Sequence, residues 1–120
     1  MLAVVAGISL LYDVSIGVAL AAAPGTLASW FGAPLPSPLL FVRLNAIFLI
    51  AVGLGYLQPL RNAEAHRPYM WVFGVLLKGA GAVVFLISYA SGDVPASFLV
   101  FAVSDGALAV ATLVALVRRV

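Results

Sequence analysis

Four long apolar runs dominate the sequence, and short segments rich in polar residues, glycine and proline separate them. The runs cover residues 2–23, 39–57, 69–90 and 94–117. A helix of about 20 residues crosses the roughly 30 Å hydrocarbon core of a bilayer, because each residue adds about 1.5 Å. The pattern therefore predicts an all-α fold, a four-helix transmembrane bundle, with residues 1–120 forming a single integral membrane domain.

The segments between the runs carry signals for helix ends. In PGTLASWFGAPLPSP, after the first run, Thr26 is expected to cap a short helix that ends at Gly32. Trp30 and Phe31 on one face of this helix are typical of a membrane–water interface. In SGDVP, after the third run, the glycine suits a helix end, and Asp93 is expected to cap the fourth helix.

Composition agrees with a membrane protein and excludes several classes of function. The chain is 65% hydrophobic and 8% charged, whereas soluble domains carry about 25% charged residues. Its six basic residues are too few and too scattered for a nucleic-acid interface. It has no cysteine, which rules out disulfides, Fe–S ligation and CxxCH haem attachment. His66 has no second ligand nearby, so no metal or cofactor is expected.

The distribution of arginines predicts the topology. With four spans, both termini and the loop between the second and third spans lie on one side, which carries Arg61, Arg67, Arg118 and Arg119. The positive-inside rule then places both termini in the cytoplasm. No Lys or Arg precedes the first run and Asp13 interrupts it, which favours a retained transmembrane helix over a cleaved signal peptide.

Each apolar run also contains an ionisable residue. Asp13, Lys78 and Asp105 lie near mid-depth on three helices, whereas Arg43 lies about one turn from the end of its helix, where its side chain can reach the headgroups. A charge at the centre of a spanning helix costs about 2.5–3.5 kcal/mol even on lenient scales. We therefore expect the three mid-depth charges to face inward and to pair.

Other polar residues share helix faces with these charges. A serine lies on the face of the first aspartate, a tryptophan and a tyrosine on the face of the lysine, and an asparagine opens a stripe on the second helix. One interpretation is a buried ion pair that fixes helix register, and another is a site that handles protons or orients a ligand. The candidate ligand-binding or charge-network residues are Asp13, Lys78, Asp105, Arg43, Asn45, Ser9, Trp71 and Tyr89.

The layout also resembles a known family. The chain resembles DoxX-like small four-helix bacterial membrane proteins in its layout. The resemblance rests on the four spans, on the Trp/Phe–Pro connector after the first span, and on a second span that begins PLLFVRLNAIFLIAVGLGYL. The resemblance covers most of the chain and implies a bacterial inner membrane; some members are tied to quinone or respiratory redox complexes. Sterol-isomerase and sigma-2-like bundles are a second comparison. Those bundles combine several intramembrane acids with a histidine, whereas the spans of this chain offer only Asp13 and Asp105 for such a cluster.

A protein with so little sequence outside the spans is expected to act on molecules within the membrane. The leading hypothesis is an accessory or structural subunit, or a homo-oligomeric module, that binds membrane lipids and partner transmembrane helices. The alternative is a protein that binds or isomerises a lipophilic ligand such as a lipid, a quinone or a sterol-like molecule. A small proton-coupled transporter comes third. No serine has a histidine–carboxylate pair at plausible depth, so no catalytic residue is predicted.

Overall fold

The computed structural model describes residues 1–35 and 37–119, and every regular element in these ranges is helical. The elements are α1 (Leu2–Ala22), α2 (Pro24–Phe31), α3 (Leu40–Arg61), α4 (Arg67–Ala90) and α5 (Ala96–Arg118). Four of them, α1, α3, α4 and α5, are long and apolar enough to span a membrane, as a multi-pass membrane protein requires. The longest dimension, 42 Å, matches a bilayer of about 40–45 Å with its headgroups.

Two glycines end helices as the sequence predicts. Gly32 follows α2 and Gly92 follows α4, both with positive φ, at 68° and 82°. At each site the glycine N–H and the next N–H donate back to carbonyls in the last helical turn, which is the Schellman arrangement. A side chain would be strained at either position, so the two connections are set by glycine.

The predicted helix starts were wrong at both turns. α2 begins at Pro24 rather than at a cap on Thr26, because proline at the first helical position loses no hydrogen bond. The last helix begins at Ala96 after an extended Pro95, and Asp93 makes no capping bond. Asp93 instead accepts a bond of 3.3 Å from the Ser91 hydroxyl.

The second span runs further than its predicted end at residue 57. α3 is α-helical over Leu40–Gly55, turns at Tyr56, and continues as Leu57–Arg61. Pro59 lies in the first turn of this second segment, where a missing N–H costs little. Part of the stretch that the sequence presents as a polar loop is therefore helical.

The third span contains a long π-helical segment, Met70–Leu77, between its α-helical ends. Hydrogen bonds in a π-helix join residues five apart rather than four, so the segment changes which residues share a face. The buried residues of this span are Met70, Gly74, Lys78 and Ala82, four positions apart each time. Lys78 is the first residue after the π-helical segment.

The bundle consists of two helix pairs. α1 and α3 run antiparallel and lie so close that a Cβ on Gly17 would be 3.0 Å from the Ala46 carbonyl oxygen, and one on Gly53 would be 3.0 Å from the Val14 nitrogen. The second pair is α4 with α5, and α1 also touches both of its helices. Small residues thus permit the close backbone approach common between membrane helices.

The two pairs are packed tightly at one end of the bundle only. The buried cluster there combines the start of α1, the end of α3, the start of α4 and the end of α5: Leu2, Val5, Ala6, Val52, Tyr56, Met70, Ala115 and Leu116. We call this the closed end. The Tyr69 hydroxyl donates to the Val52 carbonyl and joins α4 to α3 there.

Polar contacts add to the closed end. The Arg67 guanidinium donates to the Leu116 carbonyl at 2.6 Å and so provides a donor for a carbonyl in the last turn of α5. The Glu64 carboxylate lies 3.4 Å from both Arg67 and Arg119. The loop between α3 and α4 is therefore tied to the end of α5.

Candidate functional site

A cavity of about 600 Å³ lies between the two helix pairs in the half of the bundle away from the closed end. Most of the side chains that line it are aliphatic or aromatic. The lining residues are Tyr12, Asp13, Ser15, Ile16, Ala19 and Leu20 of α1; Pro24, Leu27, Ala28 and Phe31 of α2; residues 33–35; Val42, Asn45, Phe48 and Leu49 of α3; Leu77, Lys78, Gly81 and Phe85 of α4; and Phe98, Phe101 and Asp105 of α5. The volume falls within the range of about 300–1,000 Å³ typical of small-molecule sites.

The cavity exists because, at this level of the bundle, α3 packs on α1 rather than on the other helix pair. α3 follows α1 closely, but it makes no comparable contact with the second half of α4 or with α5 in the described part of the chain. The glycines of the α1–α3 contact let α3 approach α1 closely. The space that remains is filled by no side chain of the described residues.

The floor of the cavity is a buried ion pair. The Lys78 Nζ lies 2.6 Å from the Asp13 Oδ1, and their side chains are only 4% and 3% exposed. The same ammonium lies 5.0 Å from the centre of the Tyr12 ring and 5.7 Å from that of Tyr56, distances at which aromatic rings attract a cation. The lysine is thus neutralised by one carboxylate and flanked by two rings.

A second carboxylate lies beside this pair without a cation of its own. Asp105 lines the cavity, and its Oδ2 lies 3.5 Å from the position that a Cβ on Gly81 would take. Within the described residues no lysine or arginine nitrogen lies within 4.0 Å of it. With both aspartates ionised, the lining carries two negative charges and one positive charge, a formal sum of −1.

Tyr12 connects α1 to α5 at the same level. Its hydroxyl lies 2.5 Å from the Ser104 Oγ, and the Ser104 hydroxyl lies 2.7 Å from the Val100 carbonyl oxygen. Either hydroxyl can be the donor between Tyr12 and Ser104, and the carbonyl oxygen of Val100 can only accept. This chain of bonds fixes the tyrosine ring against the Lys78 ammonium.

The short helix α2 covers the far side of the cavity. The Ser97 hydroxyl donates to the Phe31 carbonyl at 2.6 Å, which joins the end of α2 to the start of α5. The Phe31 ring packs against Phe98 and Phe101, and Phe85 of α4 stacks on both of those rings. Four phenylalanines from three helices therefore form an aromatic wall above Asp105.

Three buried polar atoms near the floor have no hydrogen-bond partner among the described residues: the Ser9 Oγ, the Asp13 Oδ2 and the Tyr56 hydroxyl. Ser9 is one helical turn from Asp13, and Tyr56 faces the Lys78 ammonium. Unpaired buried polar groups are uncommon, and water is their usual partner. The polar floor therefore extends from the ion pair toward the closed end.

Of the eight candidate residues, four line the cavity: Asp13, Lys78, Asp105 and Asn45. The structure separates the other four from it. Ser9 is fully buried on the closed-end side of Asp13. Arg43 is exposed on the outer surface, because two positions along a helix place it nearly opposite Asn45.

Neither of the two aromatic candidates, Trp71 and Tyr89, lines the cavity, and the reason differs between them. Trp71 is 42% exposed, since the π-helical segment places Met70 and Gly74 on the buried face instead. Tyr89 is 43% exposed in the last turn of α4, beyond the lining residue Phe85.

Sequence reasoning missed Tyr12 and Ser104. Tyr12 is adjacent to Asp13, and a tyrosine beside an intramembrane charge is a signal that could have been used. Ser104 precedes Asp105 in the same way. The described residues contain no group of three or more His, Cys, Asp or Glu side chains that could hold a metal ion.

The fold and the site define a class: a four-helix membrane bundle with an apolar cavity that has charged residues at its floor. The chain matches no protein-family model, no curated protein and no solved structure.

Proposed function

We propose that the protein binds a lipophilic small molecule with a polar group in the cavity between its helix pairs. The observation that carries the proposal is the shape and lining of this space: about 600 Å³ of mostly apolar wall with Asp13, Lys78 and Asp105 at one end. Ligand sites are typically apolar pockets with a few polar groups that orient the ligand. Helix–helix association alone, the basis of the accessory-subunit hypothesis, requires no internal space of this size.

The proposed orientation follows from the arginines. Arg61, Arg67, Arg118 and Arg119 all lie at or next to the closed end, where both termini and the loop 62–66 are found. By the positive-inside rule this end faces the cytoplasm, and the cavity then lies in the outer half of the membrane under α2. The layout resemblance to DoxX-like proteins supports a bacterial inner membrane, and a quinone or another lipid is then a suitable occupant.

Native mass spectrometry of the protein released from nanodiscs tests this proposal. Ala28 lines the cavity and Ala51 is exposed on the outer surface of α3, so Ala28→Trp and Ala51→Trp make the same change inside and outside the site. We expect wild type and Ala51→Trp to retain a lipophilic molecule at one per chain and Ala28→Trp to lose it. Equal retention by both variants contradicts the proposal, as does a wild-type chain that always appears bare. A mass of two or more chains without ligand would instead favour the oligomeric module.

A further inference from the structure

We infer that the cavity prefers a lipophile whose polar group is a cation, such as a protonated or quaternary amine, with Asp105 as its counter-ion. The inference rests on the proposed ligand-binding function and names the chemical class of the ligand. It comes from the unequal situation of the two aspartates at the cavity floor.

The two aspartates differ in how close a cation lies to each of them. Asp13 already has a cation 2.6 Å away, whereas Asp105 has none within 4.0 Å among the described residues. If Asp105 is ionised, a neutral ligand would leave its carboxylate with no cation among the described residues except Lys78, which already pairs with Asp13, and an anionic ligand would add another like charge beside it. An ammonium would cancel the formal −1 of the lining and form a charge-assisted hydrogen bond or an ion pair.

The aromatic wall near Asp105 also favours a cationic ligand. The Asp105 Oδ2 lies next to Gly81, one turn from Phe85, and Phe101 is one turn from Asp105 on α5. Both phenylalanines line the cavity, and their rings stack with 5.3 Å between centroids, so each ring has one face turned to the other and one face turned away from it. Ring faces attract ammonium groups, and aromatic residues combined with an acid are suited to alkylated amines.

The glycine at position 81 leaves space beside the Asp105 carboxylate. Without a side chain at this position, the carboxylate oxygen faces the cavity from α5 with only glycine opposite it on α4. A larger residue would shield the oxygen from a ligand headgroup. The site therefore presents an accessible carboxylate beneath apolar walls.

Four probes with the same dodecyl chain test the inference: N,N-dimethyldodecylamine, dodecyltrimethylammonium, 1-dodecanol and dodecanoate. The apparent Kd of each is measured as one-per-chain adducts by native mass spectrometry, from nanodiscs of zwitterionic lipid. We expect both cations to bind about tenfold more tightly than the alcohol, and dodecanoate to bind most weakly. Asp105→Asn should weaken the cations by about 10- to 100-fold and change dodecanol by less than about twofold.

Matched variants keep the test decisive. Asp93→Asn makes the same change at an exposed turn outside the cavity, and it should leave all four affinities unchanged. Phe85→Leu keeps the wall apolar and removes one ring, so it should weaken the cations about threefold or more and spare dodecanol, even if Asp105→Asn does not fold. If dodecanol binds as tightly as the cations, or the cation preference survives in the variants, the inference is wrong while the pocket stands. If no probe forms an adduct with wild type, the proposed pocket is wrong too.

Discussion

Removal of the Lys78 ammonium should destabilise the bundle strongly. Lys78→Met keeps the length of the side chain but leaves the Asp13 carboxylate buried, 3% exposed, with no cation. Without the ammonium, neither oxygen of this carboxylate has a hydrogen-bond partner among the described residues. Breaking a buried ion pair from one side costs about 3–5 kcal/mol. The lost attraction between the ammonium and the rings of Tyr12 and Tyr56 adds to this cost.

The free energy of unfolding can be measured by SDS titration in mixed micelles, followed by far-UV circular dichroism. We expect Lys78→Met to lose about 3–5 kcal/mol. The double variant Asp13→Asn/Lys78→Met, which carries neither charge, should recover about 2 kcal/mol or more of this loss, because coupled residues are not additive. The two substitutions together would then cost less than the lysine substitution alone.

The exposed ion pair between Glu64 and Arg119 provides the control. Its atoms lie 3.4 Å apart and its side chains are 69% and 67% exposed, so Glu64→Gln should cost less than about 1 kcal/mol. A cost of Lys78→Met no larger than that of this control would show that the buried ion pair does not stabilise the bundle. A double variant as unstable as the sum of its two single variants would show that the two charges do not depend on each other.

Two further predictions concern the helix contacts. Gly17→Ala should destabilise the bundle by about 1–3 kcal/mol in the same titration, because the new Cβ would lie 3.0 Å from the backbone oxygen of Ala46, whereas Gly25→Ala, with nothing within 4 Å, should have little effect. Ser97→Ala should remove the 2.6 Å hydrogen bond to the Phe31 carbonyl, which is worth about 1 kcal/mol. Amide hydrogen exchange in α2 should then be about fivefold faster. Unchanged exchange would show that this bond does not hold α2 in place.

The spanning helices could be predicted from the sequence because they depend on local composition. A run of about 20 apolar residues has few stable alternatives in a bilayer, since every backbone polar group must find a partner within the chain. The turns at Gly32 and Gly92 were predictable for a similar reason, because a positive φ is readily adopted by glycine alone. The helix starts were less predictable, since prolines compete with the caps predicted at Thr26 and Asp93 for the first positions of a helix.

The site depends on geometry that the sequence does not express. Asp13 and Asp105 lie at similar depth, and only the relative placement of three helices decides that Lys78 pairs with the first. The outward position of Trp71 depends on the π-helical segment, which a uniform helical period cannot represent. The cavity arises because, in the described part of the chain, α3 packs on α1 and not on the second half of α4 or on α5, and this placement follows from side-chain packing across residues distant in sequence.

The uneven distribution of contacts along the bundle also determines where it can move. Separation of helices requires least free energy where few apolar contacts must be broken. Near Leu2, Val52 and Met70 the four helices share a buried cluster, whereas near Phe31 the first and second pairs meet mainly through α2. Spreading of the loose half would let the proposed ligand enter sideways from the surrounding lipid, without disruption of the tight half. The ion pair between Asp13 and Lys78 lies between the two halves.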